Sequence, residues 1–538
     1  MPNFDLPAIS ADAHPEFTDA NACGEWLKSL PLINVGPSHG RLLGQIEELN
    51  SCDVPPAERL KILELLREPV VFVQKEHAKK FFGRPVPLSR PEREIFNNVV
   101  ALWGALSQGY QHCLQAIADG GTEPGGSVAL ICQRVLWCSE QQMMHHYEVY
   151  RDLAEDDWRL LHRVFAFAEE RNVANDKVGH PVHRSRGEAS CAFSYTHALL
   201  LNLANPNELV PRQLALLSRW IERWVPNISV DRTPPDPDSS IAPLIADLAS
   251  GAGIVRDAVP GDPIRYIHID DIAKGIRKRI RQLRHGESPA DLGLGEEVAP
   301  SLAENLLAMV YRQWCEDKQS RGVARRSASG TAQVCSGLGA IHHYVTGQQF
   351  HQPGQARELS KVQHEEIATF GRIATHQDDD VDSDVAHGVG LETWQIKDES
   401  LSGLRLERMD LAANSRLQLN QLLAVRPADA KGYFLGVLRW LSVSPEFELR
   451  AGVRTLPGVP SGVAIRPTGL NTMAEKYTSA LMLPAVAALQ SPDTLVLPAG
   501  WFKPSRVIEI FTDRVYNIML VAVIEHGVDF ERVTFEPV

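Results

Sequence analysis

The fold is decided by two patterns, Arg321-Gly322-Val323-Ala324-Arg325-Arg326 and, further on, Asp398-Glu399-Ser400-Leu401-Ser402-Gly403 followed by Leu404-Arg405-Leu406-Glu407. The first pattern places two arginines four positions apart. The run after Gly403 alternates apolar and polar residues, which is typical of a half-buried β-strand, and the glycine permits a tight turn. These patterns predict a cationic arm that is followed along the chain by a turn carried on strands.

The pairing of an R-x-x-x-R arm with a D-x-S-x-x-G turn resembles the PilZ family, whose members are small β-barrels that bind the bacterial second messenger cyclic di-GMP. The resemblance covers residues 321–450 and implies an antiparallel barrel there. It also implies a set of ligand-binding residues, namely Arg321, Arg325, Arg326, Asp398, Ser400 and Gly403. No catalytic residue, metal ligand or cofactor is expected beyond the ligand cyclic di-GMP.

The chemistry of these residue types agrees with such a ligand. Arginine donates two parallel hydrogen bonds to a phosphate or to the acceptor edge of guanine, and it stacks on a base. A carboxylate such as Asp398 suits the N1–H and N2–H donors of guanine, and the Ser400 hydroxyl donates or accepts. The formal net charge of the chain is −13. A local arginine cluster must therefore attract the anion.

One departure from the family pattern concerns spacing, because Asp398 follows Arg325 by 73 positions, whereas a few short strands usually separate the two motifs. We interpret residues 346–392 as an insertion, since this segment is polar and rich in His and Gln. It ends in the acidic run of residues 378–384, which holds five aspartates in seven positions. Counted from Asp378, the sixth and twelfth residues are Ser383 and Val389 instead of the Gly and Glu of a calcium loop, so the run predicts a solvated, mobile loop. Its negative charge would oppose an anionic ligand, so we expect the loop to project away from the arginine arm.

The predicted fold class is an α+β multidomain protein. Apolar residues recur at helical spacing in Arg90–Ala118, in two helices within Val128–Arg171, and in further segments including Ser240–Leu248 and Ile269–His285. We expect an all-helical array over residues 1–316, with residues 1–54 irregular. A PilZ-like barrel follows over residues 317–453, in which Gly330–Val345 is expected to be β-like. A β-rich section over residues 454–538 either extends that barrel or forms a companion to it.

Bulk composition narrows the functional class. The content of 44% hydrophobic and 22% charged residues is typical of a globular protein, and no window approaches the ~20 apolar residues of a membrane span. The acidic net charge argues against nucleic acid as the main partner. The eight cysteines are scattered without a C-x-x-C pair, and the N-terminus lacks a signal-peptide pattern. We therefore expect reduced thiols and a cytoplasmic location.

Two features of the helical part leave alternatives open. Lys274 to Arg284 forms a basic amphipathic helix, which either shows water a charged face or docks an acidic partner. His145 and His146 are adjacent, so on a helix they point about 100° apart and cannot chelate one ion together. Packing within a core or groove is the better interpretation for that cluster.

Two functions from different classes follow from the sequence. The first is a non-enzymatic receptor that binds cyclic di-GMP and signals through the helical domain to an unidentified protein partner. The second is a ligand-free scaffold that keeps the barrel only as an interaction module. Degenerate barrels lose the arginine arm, whereas this chain keeps Arg321, Arg325, Asp398, Ser400 and Gly403. We therefore favour the receptor.

Overall fold

The computed structural model describes residues 4, 6–10, 12–121, 127–179, 187–234, 241–256, 258–316, 326–353, 390–400, 402–408, 415–444, 448–468 and 475–538, with backbone alone for 326–329. The chain divides into two compact units, Met1–Ser320 and Arg321–Val538. The first unit is mainly helical, and the second contains two β-barrels. The predicted fold class is confirmed.

The helices of the first unit, within the described ranges, are α1 (Ala20–Lys28), α2 (Val35–Asn50), α3 (Pro56–Ala78), α4 (Arg90–Ala118), α5 (Val128–Glu148), α6 (Glu155–Glu170), α7 (Cys191–Leu203), α8 (Pro211–Trp224), α9 (Asp270–Arg284) and α10 (Pro300–Cys315). Helix α4 shows why apolar residues at helical spacing predict a helix correctly. Its residues Val99, Leu102 and Leu106 are fully buried, and a capping box of Ser89 and Glu92 closes its N-terminus.

Two predictions for the first unit are wrong. Residues 1–54 contain α1 and α2, and Asp19 begins α1 by accepting hydrogen bonds from the backbone N–H groups of Asn21 and Ala22. Helix α2 also buries the polar residue His39, which masks its apolar period.

Within the predicted helix Ser240–Leu248, Leu244–Asp247 is a strand. It belongs to a three-stranded sheet whose members are β3 (Ser229–Asp231), β4 (Leu244–Asp247) and β5 (Ile264–His268); a two-stranded pair, β1 (Val178–Gly179) and β2 (Glu188–Ala189), precedes it. Pairing with β5 decides the conformation of this short apolar run, which periodicity alone cannot assign.

The histidine cluster of α5 packs as the sequence predicted. The ring of His145 lies 5.8 Å from that of Phe81, and the ring of His146 lies 5.4 Å from that of Phe96. Two cations of the basic helix α9 contact residues of α10. Arg284 pairs with Glu304 at 2.6 Å, and the guanidinium of Arg277 lies over the ring of Tyr311.

The second unit contains two closed six-stranded antiparallel barrels. We call the one nearer the N-terminus the first barrel and the other the second barrel. The strands of the first barrel are β6 (Arg326–Ser336), β7 (Glu392–Ser400), β8 (Gly403–Arg408), β9 (Leu422–Pro427), β10 (Phe434–Val443) and β11 (Leu449–Thr455). Those of the second are β12 (Ser461–Pro467), β13 (Thr478–Leu483), β14 (Thr494–Pro498), β15 (Val507–Phe511), β16 (Val515–His526) and β17 (Phe530–Pro537).

The two barrels close in the same order. If the strands of each barrel are counted from one to six along the chain, the neighbours around both rings are one, two, three, six, five and four. The β-rich section after residue 454 is thus a closed barrel with the topology of the first. From the sequence, this section was either an extension of the first barrel or a companion to it, and in the structure it closes as a separate barrel.

A helix and a shared apolar cluster join the two barrels. Helix α11 (Leu338–Thr346) follows β6, and its fully buried Ile341 packs with Leu422 of the first barrel and Leu481 and Phe530 of the second. The sequence predicted β-like structure up to Val345, and this is wrong after Ser336. Gly337 adopts a φ of 85°, which a residue with a side chain rarely takes, so the strand ends there and a helix begins.

No membrane-spanning helix occurs in the part of the chain described above. None of its helices combines the length and the apolar character needed to cross a bilayer.

Candidate functional site

The D-x-S-x-x-G pattern forms the hairpin between β7 and β8. Ser400 and Gly403 are cross-strand partners, so the loop between the strands has two residues. The hydroxyl of Ser400 donates to the carbonyl oxygen of Gly403 at 3.1 Å. The backbone N–H of Thr455 donates to the carbonyl of Ser402 at 3.0 Å, which ties the tip of this hairpin to the end of β11. We call it the motif hairpin.

Gly403 is required by the close approach of a neighbouring strand. A Cβ atom at this position would lie 2.5 Å from the carbonyl oxygen of Val453 on β11, and the φ of Gly403 is outside the left-handed region. The sequence analysis gave the glycine a role in a tight turn and placed it among the expected ligand-binding residues. Packing against β11 is a further reason for the same residue, and it acts without any ligand.

Asp398 lies where the pairing of β7 is irregular on both sides. Its partners in register are Ser327 on β6 and Arg405 on β8. The register shifts between Ile396 and Asp398 against β8, and again against β6 next to Ser327. Such bulges re-aim side chains and are common at barrel rims and beside binding sites. Asp398 is 18% exposed, and its Oδ2 lies 3.6 Å from Nη1 of Arg405.

The strand that follows the arginine arm along the chain begins next to the motif hairpin. Arg326 is the first residue of β6 and stands opposite Glu399 in the register of β6 and β7. The side chain of Arg326 lies outside the described residues, as do Arg321 and Arg325 altogether. The structure therefore brings together Asp398, Ser400, Gly403 and the strand that directly follows the arm.

A charged ladder lies beside Asp398 on the same sheet. Glu407 on β8 accepts from Lys397 at 2.5 Å and from Arg450 at 3.1 Å. Burial of the Glu407 carboxylate would raise its pKa, but the two cations outweigh this and the pKa lies below its ordinary value. The ladder holds β7, β8 and β11 together where the motif hairpin begins.

The insertion between the two motifs starts against the second barrel. The side-chain amide of Gln352 donates to the carbonyl of Tyr477 at 3.0 Å, and its oxygen accepts from the N–H of Tyr477 at 2.7 Å. The predicted mobile acidic run at 378–384 lies outside the described residues. In the described ranges, no group of three or more His, Cys, Asp or Glu side chains could hold a metal ion.

Sequence reasoning did not single out Arg405. Arg405 alternates with apolar neighbours in β8. This alternation identified a strand, but it does not show which strands pair with it. Only the register places Arg405 directly beside Asp398.

Comparison with known proteins gives three consecutive matches. Residues 21–236 match the family described as "Cyclic-di-GMP receptor FimW, N-terminal domain", residues 261–402 its "middle PilZ domain", and residues 463–538 the "FimW C-terminal beta-barrel domain". The middle match begins before the arm and stops one residue short of Gly403. A curated protein of Pseudomonas aeruginosa (strain PAO1), named "Cyclic-di-GMP receptor FimW", is 22% identical over 528 residues, which cover 90% of this chain and 85% of that protein. The resemblance found in the sequence motifs is therefore confirmed, and the middle region of this chain is a PilZ domain.

Proposed function

We propose that this protein is a non-enzymatic receptor that binds cyclic di-GMP. The observation that carries the proposal is the register of β6, β7 and β8, in which the strand following the arginine arm pairs with the strand that bears Asp398 and Ser400. The name of the Pseudomonas aeruginosa relative supports the same ligand.

The proposed roles follow from the chemistry of the ligand. Arg321, Arg325 and Arg326 supply guanidinium forks for the phosphates and for the acceptor edge of guanine. Asp398 accepts from the N1–H and N2–H groups of the base, and the Ser400 hydroxyl offers a further hydrogen bond. Gly403 has no side chain, so the hairpin can pack closely against β11. The missing side chain also leaves space for the ligand.

The proposed signal passes along the chain to the helical part. Helix α10 ends at Cys315 and β6 begins at Arg326, so the arginine arm lies in the short link between them. A ligand that orders the arm also restrains the exit direction of α10, and a protein partner that contacts the helical part would sense this change. We propose that the receptor has three domains, which comprise residues 1–316, 317–453 and 454–538. The free state of all eight cysteines supports action in the cytoplasm.

Titration calorimetry tests the proposal. Purified protein should bind cyclic di-GMP, and Arg325→Ala or Asp398→Ala should each weaken binding at least ~10-fold, because each removes a charge-assisted contact worth ~1.5–3 kcal/mol. The matched controls are Arg514→Ala and Asp513→Ala, which change exposed residues of the second barrel and should leave the affinity unchanged. Absence of saturable binding to the wild-type protein would end the receptor proposal and favour the ligand-free scaffold.

A further inference from the structure

A row of residues crosses the outer face of the first barrel at the motif hairpin. In register, Asp398 of β7 faces Arg405 of β8, Arg405 faces Gly452 of β11, and Gly452 faces Trp440 of β10. Cross-strand partners project to the same side of a sheet. Asp398 and Arg405 therefore present a carboxylate and a guanidinium side by side.

The indole of Trp440 restricts the directions open to Arg405. A Cβ atom on Gly452 would overlap the Trp440 ring, so this ring covers the β11 side of Arg405. The guanidinium extends to the other side, where its Nη1 lies 3.6 Å from Oδ2 of Asp398. Arg405 remains 44% exposed, so the pair is open to a ligand.

The neighbouring cations on this face are engaged elsewhere. Lys397 and Arg450 both pair with Glu407, and Arg450 also pairs with Glu448 at 3.3 Å. Arg405 differs from them because its carboxylate partner belongs to the D-x-S-x-x-G pattern.

The pair matches the hydrogen-bonding edge of guanine. This edge presents the N2–H and N1–H donors and then the O6 acceptor, side by side in one plane. When a carboxylate accepts from the two donors, O6 of the guanine faces the group next to that carboxylate. A guanidinium in this position donates to O6. In adenine an amino donor replaces O6 and position 2 carries no amino group. The guanidinium would then face the amino donor of adenine, and the carboxylate would face the unprotonated N1 with no donor to accept from.

We propose that Arg405 is a further ligand-binding residue, which donates to O6 of the guanine held by Asp398 and makes the site select guanine over adenine. This inference rests on the proposed function and deepens it, since the D-x-S-x-x-G pattern does not contain Arg405. Arg405 would leave its long contact with Asp398 for a shorter one with the base.

Calorimetry with three cyclic dinucleotides tests the role of Arg405. Cyclic di-IMP keeps O6 but lacks the N2 amino group, and cyclic di-AMP lacks both. Arg405→Ala should weaken binding of cyclic di-GMP and of cyclic di-IMP by the same factor, about 10-fold, because both lose the O6 contact. Its preference for cyclic di-GMP over cyclic di-AMP should fall. Arg405→Met, which keeps the stem and removes the donors, should behave in the same way if alanine disturbs the strand.

The control is Lys431→Ala, which removes an equal charge from an exposed position of the same barrel and should change affinity less than about twofold. Binding of cyclic di-GMP by Arg405→Met at wild-type strength would overturn the inference and leave the receptor proposal standing. A clearly smaller loss for cyclic di-IMP than for cyclic di-GMP would overturn it too, since Arg405 would then act by positioning Asp398, whose N2–H contact only cyclic di-GMP offers. If the wild-type protein binds none of the three, the proposed function itself fails.

Discussion

The two barrels of this protein share one topology but differ at the hairpin between their second and third strands. In the first barrel this hairpin closes with Ser400 opposite Gly403. In the second barrel the corresponding pair is Leu483 and Thr494, and residues 484–493 form a longer connection without a D-x-S-x-x-G pattern. The five residues before β12 contain no cation, whereas the arginine arm precedes β6.

This difference separates what builds a barrel from what equips it to bind a ligand. Each barrel buries its own apolar residues, including Leu406 and Val453 in the first and Ile465 and Leu495 in the second. That burial is sufficient for closure in both cases, because the second barrel closes without the motif. Ligand chemistry therefore belongs to the hairpin and the arm of the first barrel, and the fold alone does not imply it.

The largest expected effect is on the stability of the first barrel. Gly403→Ala places a Cβ atom 2.5 Å from the carbonyl of Val453, and neither strand can move far within a closed ring. We expect the free energy of unfolding to fall by about 1–3 kcal/mol in chemical denaturation, even without ligand. The control is Gly432→Ala, where an added Cβ meets nothing within 4 Å. If both variants unfold alike while Gly403→Ala alone loses ligand binding, the glycine serves the ligand and not the packing.

An intermediate effect is expected in hydrogen exchange on adding cyclic di-GMP. Amides of residues 318–332 and 398–405 should become protected, because the ligand phosphates neutralise the clustered guanidinium groups and hold the arm beside the strand of Asp398. The second barrel is the internal control, and residues 461–467 and 478–498 should be unchanged. Protection of 398–405 without protection of the arm would contradict signalling through the link to α10.

The smallest expected effect concerns the insertion. Replacing residues 354–388 with a Gly/Ser linker of equal length removes the acidic run but keeps the contact of Gln352 with Tyr477. Affinity for cyclic di-GMP should stay within about threefold, since we expect the acidic run to project away from the arm, where salt screens its charges. The measurement is the same titration in both proteins at one ionic strength. A large loss would show that the insertion supplies binding residues.

Much of the secondary structure could be predicted because its signal is local. Regular apolar spacing located α4, and the alternation after Gly403 located β8. The prediction failed where partners decide the outcome. Leu244–Asp247 is a strand because β5 pairs with it, and Leu338–Thr346 is a helix because Gly337 turns the chain and Ile341 enters a core shared by two barrels.

The candidate site divides in the same way. Residue type and order along the chain were enough to identify the arm and the D-x-S-x-x-G pattern, because the chemistry of Arg321, Asp398 and Ser400 can be recognised one residue at a time. Three facts needed the tertiary structure, namely that Gly403 touches β11, that Arg405 stands beside Asp398, and that a second barrel repeats the topology of the first. Each depends on which strands become neighbours when a ring closes. Strand pairing joins residues far apart in sequence, so no local pattern can specify it.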